Sequence, residues 1–171
     1  MRIGQGFDAH AFMGGRPLRL GGVEIPYLRG LAGHSDGDVL LHAVANAILG
    51  ALGDGDLGRH FPSADERWRD VDSGVIVRRV AEKMRAANFD LVNVDATIVA
   101  EAPRLEPHVD PMRAALAELL DVPAGHVNVK VTSSDGLGAV GRGEGIAAMA
   151  VVLLRTSAEA VSEGDGSTGL I

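Results

Sequence analysis

The sequence predicts an α/β sandwich, in which a mixed sheet of the four-stranded type carries helices on one face. The first observation is the order of patterns along the 171 residues: strand-like segments at the start, middle and end alternate with amphipathic helical segments. The second is the last apolar segment, 146–154, which has alanine, valine, methionine and leucine on both of its sides. Such a strand needs cover on both sheet faces, so we expect the face without helices to pack against other subunits.

The N-terminal half begins with strands and ends in the strongest helical pattern of the chain. Its predicted elements are a strand over 1–10, a hairpin with arms 17–20 and 23–25, a glycine-rich loop over 27–37 and a helix over 38–52. Gly21-Gly22 is a favourable turn between the short arms. Ser35 or Asp36 is available as the N-cap of the helix.

The C-terminal half alternates helices and strands. We predict a loop over 54–64, a helix from the N-cap Ser73 to about residue 87, a strand over 91–100, a helix over 107–120, a strand over 127–132, a glycine-rich loop over 133–143 and the apolar strand 146–154. Residues 1–156 are therefore expected to form one domain. The acidic tail 157–171 lacks periodicity, so we expect it to be disordered.

The composition excludes several classes of function. The chain has 16 Lys and Arg against 23 Asp and Glu, and its formal net charge of -7 argues against binding nucleic acid. A small phosphorylated substrate is compatible with this charge, because local basic residues or metal ions can neutralise it. The chain has no cysteine, which removes disulfides and thiolate chemistry and fits a cytoplasmic protein. No apolar stretch is long enough to span a membrane.

Asp8 and His10 form a D-x-H triplet on the first strand, where residues two apart point to the same side. His42, on the predicted helix, can complete a set of two histidines and one carboxylate. Three protein ligands leave the fourth zinc position open, as in catalytic sites. Asp38 and Asn46 lie four residues either side of His42, and either can orient its ring. The alternative is a surface Asp beside a loop His, with His42 hydrogen-bonded inside the protein.

The loops before and after this helix carry polar residues. The segment 34–38, HSDGD, offers His34, a hydroxyl and backbone N–H groups for a phosphate, although N-capping alone also explains Ser35 and Asp36. The acidic loop 54–58 either recognises substrate hydroxyls or serves only as a turn, because Asp-Gly pairs favour turns.

The segment 132–145 combines hydroxyls, a carboxylate and glycines after a strand. Thr132, Ser133 and free backbone N–H groups can bind phosphate oxygens, and Asp135 can hold a hard cation such as Mg²⁺. A flexible hairpin loop is the alternative. The segment 100–105 presents Arg104 after Pro103, either as a base or phosphate contact or only as a strand-to-helix connection.

Together these segments resemble the 2-C-methyl-D-erythritol 2,4-cyclodiphosphate synthase family. The resemblance rests on GFDAHAF (6–12), the block 32–62 that contains HSDGD and His42, and GLGAVGRGEGIA (136–147), and it extends to about Leu154. It implies the same α/β sandwich, assembled into a homotrimer through its sheets, with active sites shared between neighbours. It also implies a lyase of non-mevalonate isoprenoid biosynthesis.

The family's reaction is a cyclising phosphoryl transfer within a cytidine diphosphate ester of 2-phospho-methylerythritol. By resemblance, the 2-phosphate attacks the β-phosphorus, CMP leaves, and the product is a cyclic diphosphate. A phosphate nucleophile is already ionised at neutral pH, so positioning and charge neutralisation are the main requirements. The rival interpretations are a zinc phosphoesterase that uses metal-bound water and a trimeric binding protein with a structural metal.

The resemblance assigns the zinc ligands to Asp8, His10 and His42. It assigns catalytic roles to His34, Ser133 and Asp135, of which Asp135 also holds Mg²⁺ or Mn²⁺ between the substrate phosphates. The implied contacts to the methylerythritol phosphate are Ser35, Asp56, Gly58, Phe61 and Asp65, and those to the cytidine diphosphate are Ala100, Pro103, Arg104, Leu105, Thr132 and Ser133. Arg142 is a further implied binding residue: with Glu144 it lies near the family's trimer axis, where the two either contact an isoprenoid diphosphate or pair with each other.

Several positions depart from the family's usual residues without touching the zinc ligands. Arg104 replaces Lys and Ser133 replaces Thr, so the charge and the hydroxyl are kept. Asp135 is one methylene shorter than the usual Glu, which changes the geometry of the second ion. Asn46 and Ser63 both stand where Asp is common.

Overall fold

The computed structural model describes residues 1–157, so the predicted tail lies outside the described residues except for Ser157. The strands are β1 (Arg2–Met13), β2 (Leu18–Leu20), β3 (Val23–Ile25), β4 (Gly30–Leu31), β5 (Phe89–Val99), β6 (Val127–Thr132) and β7 (Gly145–Thr156). The α-helices are α1 (Val39–Leu52), α2 (Leu57–His60), α3 (Ser73–Ala86), α4 (Val109–Leu120) and α5 (Gly138–Gly141). Short 3₁₀ segments lie at Glu66–Trp68, Glu106–His108 and Ala124–His126.

Five strands form one mixed sheet in the order β4-β1-β7-β5-β6, and β2 and β3 form a separate hairpin. β7 is central and antiparallel to both β1 and β5, while β6 runs parallel to β5 at one edge. The predicted α/β class with a mixed sheet is confirmed. The fifth strand is the two-residue β4, which pairs with the end of β1 through Phe12 and Leu31. It lies inside the segment 27–37, which was predicted as a loop. The sequence does not reveal it, because a strand of two residues has no alternating pattern.

Two glycines allow α1 to lie close against β1. A Cβ atom at Gly6 would be 2.0 Å from the carbonyl oxygen of Ala43, and one at Gly4 would be 1.9 Å from that of Ala47. Residues two apart on a strand face the same side, so Asp8 continues the row of Gly4 and Gly6 beneath the helix. The glycines therefore set the distance between α1 and the polar end of β1.

Asp38 is the N-cap of α1, so the prediction of Ser35 or Asp36 is wrong. The buried Asp38 carboxylate accepts hydrogen bonds from three backbone amides, those of Leu41, Gly21 and Gly22. Burial raises the pKa of Asp38, although these N–H donors oppose the shift. Because Asp38 satisfies amides of both the helix and the hairpin, Asp36 is free to bind elsewhere.

Helices α3 and α4 complete the layer over the same sheet face. Asp72 caps α3 through the amide of Gly74 at 2.7 Å, so the predicted cap Ser73 is instead the first residue of the helix. Apolar side chains from both helices enter the core, including the buried Met84 of α3 and the buried Met112 and Leu116 of α4. Within residues 1–157, no helix is both long enough and apolar enough to cross a membrane.

On the opposite face of the sheet, β1 and β7 expose apolar side chains in the single chain. Ile3 pairs with Leu153 and Phe7 pairs with Met149 across β1 and β7, and Ile3 and Phe7 are 72% and 54% exposed. Val151 extends the same row. These side chains form an apolar patch that is interrupted by Gln5 and bordered by Asp95 and Thr97 of β5. An exposed apolar patch of this kind is typical of a surface that another molecule covers.

Candidate metal centre and adjoining clefts

The predicted ligand set meets where β1 passes beneath α1. Asp8 Oδ2 lies 2.8 Å from Nδ1 of His42 and 3.1 Å from Nε2 of His10, and the two histidine nitrogens are 3.4 Å apart. The side chains of Asp8, His10 and His42 are 23%, 25% and 11% exposed. The structure therefore brings together three metal-binding side chains with limited access to solvent.

The donor atoms of this group are close enough together to share one metal ion. Zinc bonded at about 2.0–2.1 Å requires neighbouring ligand atoms about 3.3 Å apart. The three observed separations are 2.8, 3.1 and 3.4 Å, and all three ligand atoms lie within 4.8 Å of one another. One carboxylate and two imidazoles can hold a metal ion and leave a coordination position for a further ligand.

Electrostatics keeps the Asp8 carboxylate ionised. Partial burial acts to raise the pKa of Asp8, but hydrogen bonds and charge interactions with His10 and His42 outweigh it and hold the pKa well below its usual value of 3.8. An ionised carboxylate is the form that binds a metal ion, so Asp8 is in its ligating form across the physiological pH range.

The far side of the His42 ring contacts two hydroxyls. Its Nε2 lies 3.0 Å from Oγ of Ser35 and 2.9 Å from Oγ of Ser73. The expectation that Asp38 or Asn46 orients the ring is therefore wrong. The ring of His42 points away from the helix axis toward the start of α3, whereas Asp38 caps the helix and Asn46 accepts from the Leu57 amide at 3.0 Å.

A cleft of about 450 Å³ opens from the ligand group. Asp56 stands at its wall as the N-cap of α2, and Phe61 packs edge-on against Trp68 with ring centroids 4.9 Å apart. The predicted site residues that line the cleft are Asp8, His10, His34, Ser35, His42, Asp56, Gly58 and Phe61. The segment 54–61, predicted as loop, therefore contains the short helix α2 and forms one wall of the metal-side cleft.

A second cleft, of about 340 Å³, lies at the ends of the parallel pair β5 and β6. The predicted residues in its lining are Ala100, Pro103, Arg104, Leu105, Thr132 and Ser133. Arg104 is exposed and its guanidinium pairs with Glu106. Every residue predicted for the nucleotide end therefore lies in one place, and the two clefts share no lining residue.

Glu101 organises the loop after β6. Its Oε1 accepts from the amide and hydroxyl of Ser134, at 2.9 and 3.1 Å, and from the amide of Gly136 at 3.3 Å. Within this loop the Ser133 hydroxyl donates to Asp135 at 3.1 Å. Asp135 lies outside both clefts in a left-handed conformation, with φ of 51°. Glu101 and Ser133 therefore hydrogen-bond the turn 133–136 at several points.

Two other predicted residues also lie outside both clefts. Asp65 caps the 3₁₀ segment Glu66–Trp68 and binds the Arg67 side chain, while its carbonyl oxygen lies 3.5 Å from Nε2 of His34. Arg142 pairs with Glu144 at 2.6 Å on an exposed surface. The backbone carbonyl of Asp65 therefore contacts His34, which lines the metal-side cleft. Arg142 already has an ion-pair partner within the single chain.

Sequence reasoning did not identify three residues of these sites. Ser73, Trp68 and Glu101 contact the His42 ring, Phe61 and the Ser134 loop respectively. Trp68 is the single tryptophan of the chain, and its proximity to the acidic loop was the available signal. Ser73 was assigned to helix capping because serine before a helical pattern usually serves there.

A family model, the YgbB family, matches residues 1–155, and the chain belongs to this family. Among curated relatives, the 2-C-methyl-D-erythritol 2,4-cyclodiphosphate synthase of Geobacillus kaustophilus is 56% identical over 156 residues, covering 91% of this chain and 99% of that protein. The synthase of the same name from Salinibacter ruber is 54% identical over 157 residues and is covered completely.

Solved structures agree with the architecture. A 2C-methyl-D-erythritol-2,4-cyclodiphosphate synthase in a CDP-bound form is 37% identical with a TM-score of 0.83, and the match covers 90% of this chain and 100% of that one. The bifunctional IspDF from Campylobacter jejuni is 39% identical with a TM-score of 0.88. That match covers 91% of this chain but only 42% of the longer bifunctional chain.

Proposed function

We propose that this chain is a metal-dependent phosphorus–oxygen lyase of non-mevalonate isoprenoid biosynthesis. The reaction converts 4-diphosphocytidyl-2-C-methyl-D-erythritol 2-phosphate to 2-C-methyl-D-erythritol 2,4-cyclodiphosphate and CMP. The observation that carries the proposal is the Asp8–His10–His42 group at the head of a 450 Å³ cleft, in a chain 56% identical to a named cyclodiphosphate synthase. Residues 1–156 form the domain that performs the reaction. We place it in the cytoplasm, which suits a chain that has no cysteine and therefore no disulfide.

In this proposal Asp8, His10 and His42 hold Zn²⁺, and Asp135 holds Mg²⁺ or Mn²⁺. When bound, these ions supply Lewis-acid charge neutralisation of the diphosphate. The donor set supports zinc at the first site, because two imidazoles and one carboxylate suit it. A lone carboxylate beside a hydroxyl, as at Asp135 and Ser133, suits a hard cation that also takes oxygen ligands from phosphates.

The side chains of the clefts position the reacting phosphates. His34 and Ser35 lie in the metal-side cleft, where we assign them to hydrogen bonds with phosphate oxygens, and Asp56 accepts from hydroxyls of the methylerythritol chain. Ser133 lies in the second cleft, and its hydroxyl, which donates to Asp135 in the free chain, can rotate to donate to the diphosphate instead. The carbonyl oxygen of Asp65 lies 3.5 Å from Nε2 of His34 and can only accept a hydrogen bond. It therefore favours the neutral tautomer of His34 that has its N–H on Nε2.

We propose that the complete site forms between subunits of a homotrimer. The metal-side cleft and the nucleotide cleft have no lining residue in common, although one substrate must contact both. The exposed apolar face around Phe7 and Met149 supports assembly through the sheet. In this trimer, Arg142 and Glu144 line a cavity on the threefold axis, where the Arg142 guanidinium can contact an isoprenoid diphosphate.

The decisive experiment supplies the cytidyl diphosphate substrate with Zn²⁺ and Mg²⁺ and follows CMP together with the second product by ³¹P NMR. We expect a cyclic diphosphate. A hydrolysed monoester would instead support the phosphoesterase alternative, and zinc binding without turnover would support the binding-protein alternative. The His42→Ala variant should lose bound zinc and CMP release together, and full retention of both would refute the site assignment.

The assembly is tested separately by light scattering with the full chain at assay concentration. We expect the mass of a trimer. A monomer that turns over the substrate would refute the shared site, because one chain would then supply both clefts to one substrate.

A further inference from the structure

A chain of hydrogen bonds extends behind His42, away from the proposed metal. Nε2 of His42 lies 2.9 Å from Oγ of Ser73, and the Ser73 hydroxyl contacts Oδ1 of Asp36. The backbone amide of Ser73 donates to the other carboxylate oxygen of Asp36 at 3.1 Å. Ser73 is fully buried, so water does not compete for its hydroxyl.

The positions of the protons in this chain follow from what each group can do. The Asp36 carboxylate only accepts, so the Ser73 hydroxyl must donate to it. That hydroxyl therefore offers a lone pair to His42, and Nε2 of His42 must carry a proton. With a metal ion bound, the neutral imidazole has its one N–H on Nε2, so Nδ1, which faces Asp8 and His10, has the lone pair that the ion needs.

We propose that Asp36 and Ser73 are positioning residues that hold His42 in the tautomer whose Nδ1 can bind the metal. The inference rests on the proposed metal site and adds to it the residues that orient one ligand. Carboxylates commonly orient metal-binding histidines by direct contact, and here a serine hydroxyl stands between the two. Ser35 also reaches Nε2, at 3.0 Å, but its other partners are the Ser73 hydroxyl and the Gly37 amide, and within residues 1–157 no carboxylate fixes the direction of its own proton.

Zinc affinity, measured on the full chain by competition with a chromophoric chelator, tests the proposal. We expect Ser73→Ala to lose about 10-fold or more in affinity, the range typical for groups that orient metal ligands. Asp36→Asn should weaken binding in the wild-type background and have little further effect in the Ser73→Ala background, because Asp36 acts through Ser73. Wild-type affinity in Ser73→Ala, or fully independent effects of the two changes, would overturn the proposal.

A matched control separates orientation of His42 from folding of α3. Asp72→Ala removes the N-cap one residue before Ser73, so it should lower the melting temperature of the zinc-free protein while leaving zinc affinity unchanged. If Asp72→Ala weakened zinc binding as much as Ser73→Ala, the effect would belong to the helix end and the proposal would fail.

The tautomer itself is read by ¹H–¹⁵N NMR of the zinc-loaded, histidine-labelled protein. We expect a protonated Nε2 on His42 with slow exchange in the wild type, and faster exchange in Ser73→Ala. A protonated Nδ1 would overturn the proposal. Failure of the wild type to bind zinc at all would instead refute the metal site of the proposed function, so the two failures are distinguishable.

Discussion

Replacing Gly6 with alanine should disturb both the fold and the metal centre. The new Cβ would lie 2.0 Å from the carbonyl oxygen of Ala43 and 2.6 Å from the amide nitrogen of Ala47. Carbon and oxygen atoms need at least about 3 Å, so α1 must move away from β1 by about 1 Å. Such overpacking typically costs about 1–3 kcal/mol, which corresponds to a melting temperature lower by roughly 2–12 °C for a chain of this size.

The same displacement should reach the ligands, because β1 carries Asp8 and His10 while α1 carries His42. Metal sites tolerate ligand-distance errors of about 0.2 Å, so a shift of about 1 Å should weaken zinc binding clearly. Thermal unfolding of the zinc-free protein and a chelator-competition titration measure the two effects separately.

Gly50→Ala is the matched control, since it makes the same substitution on α1, the helix that packs against Gly6, at a point that also faces β1. Its new Cβ would meet only the carbonyl oxygen of Gln5 at 3.6 Å, which is an ordinary contact. Alanine should therefore stabilise α1 there by about 0.5–1 kcal/mol, with no loss of zinc affinity. If Gly6→Ala retained the wild-type melting temperature and zinc affinity, the close approach would not be what fixes the ligand geometry.

Three further predictions concern Asp38, Glu101 and the effect of zinc on stability. Asp38→Ala removes the acceptor of three amides and should destabilise the protein by about 2–5 kcal/mol in denaturant unfolding, whereas Asp38→Asn should retain part of that stability. Glu101→Ala should loosen the loop 133–136 and raise KM in steady-state assays, with melting temperature unchanged within error. Zinc should raise the melting temperature by mass action, and chelator should reverse this in the wild type but have no effect in His42→Ala.

The arrangement of strands and helices could be predicted because each long element carries its own pattern. The alternating and apolar segments gave β1, β5 and β7, and the three-to-four residue repeat gave α1. The two-residue β4 could not be found, because its pairing with β1 depends on tertiary position and not on local sequence. The observed N-caps of α1 and α3 lie one to three residues from the predicted ones for a related reason. Asp36 and Ser73 hydrogen-bond to each other across 37 positions of the chain, so neither serves as a cap.

The meeting of Asp8, His10 and His42 could be predicted for a different reason, since the geometry of Asp8 and His10 is local to one strand. His42 needed only the expectation that a helix packs on that strand. The direction of its ring could not be inferred, because spacing of four residues places Asp38 and Asn46 on the same helix face but says nothing about which neighbouring element the ring meets. That neighbour is the start of α3, distant in sequence by some thirty residues.

The charge of the two clefts explains why metal ions are central to the proposed reaction. When the lining residues of the two clefts are taken together, Arg104 is the one Lys or Arg among them, and it already pairs with Glu106. The metal-side cleft adds the carboxylates of Asp8 and Asp56, in a chain of net charge -7. A substrate with three phosphates would meet net repulsion there. Bound divalent ions reverse that sign locally, so the chain can build a phosphate site from carboxylates and histidines without a basic surface.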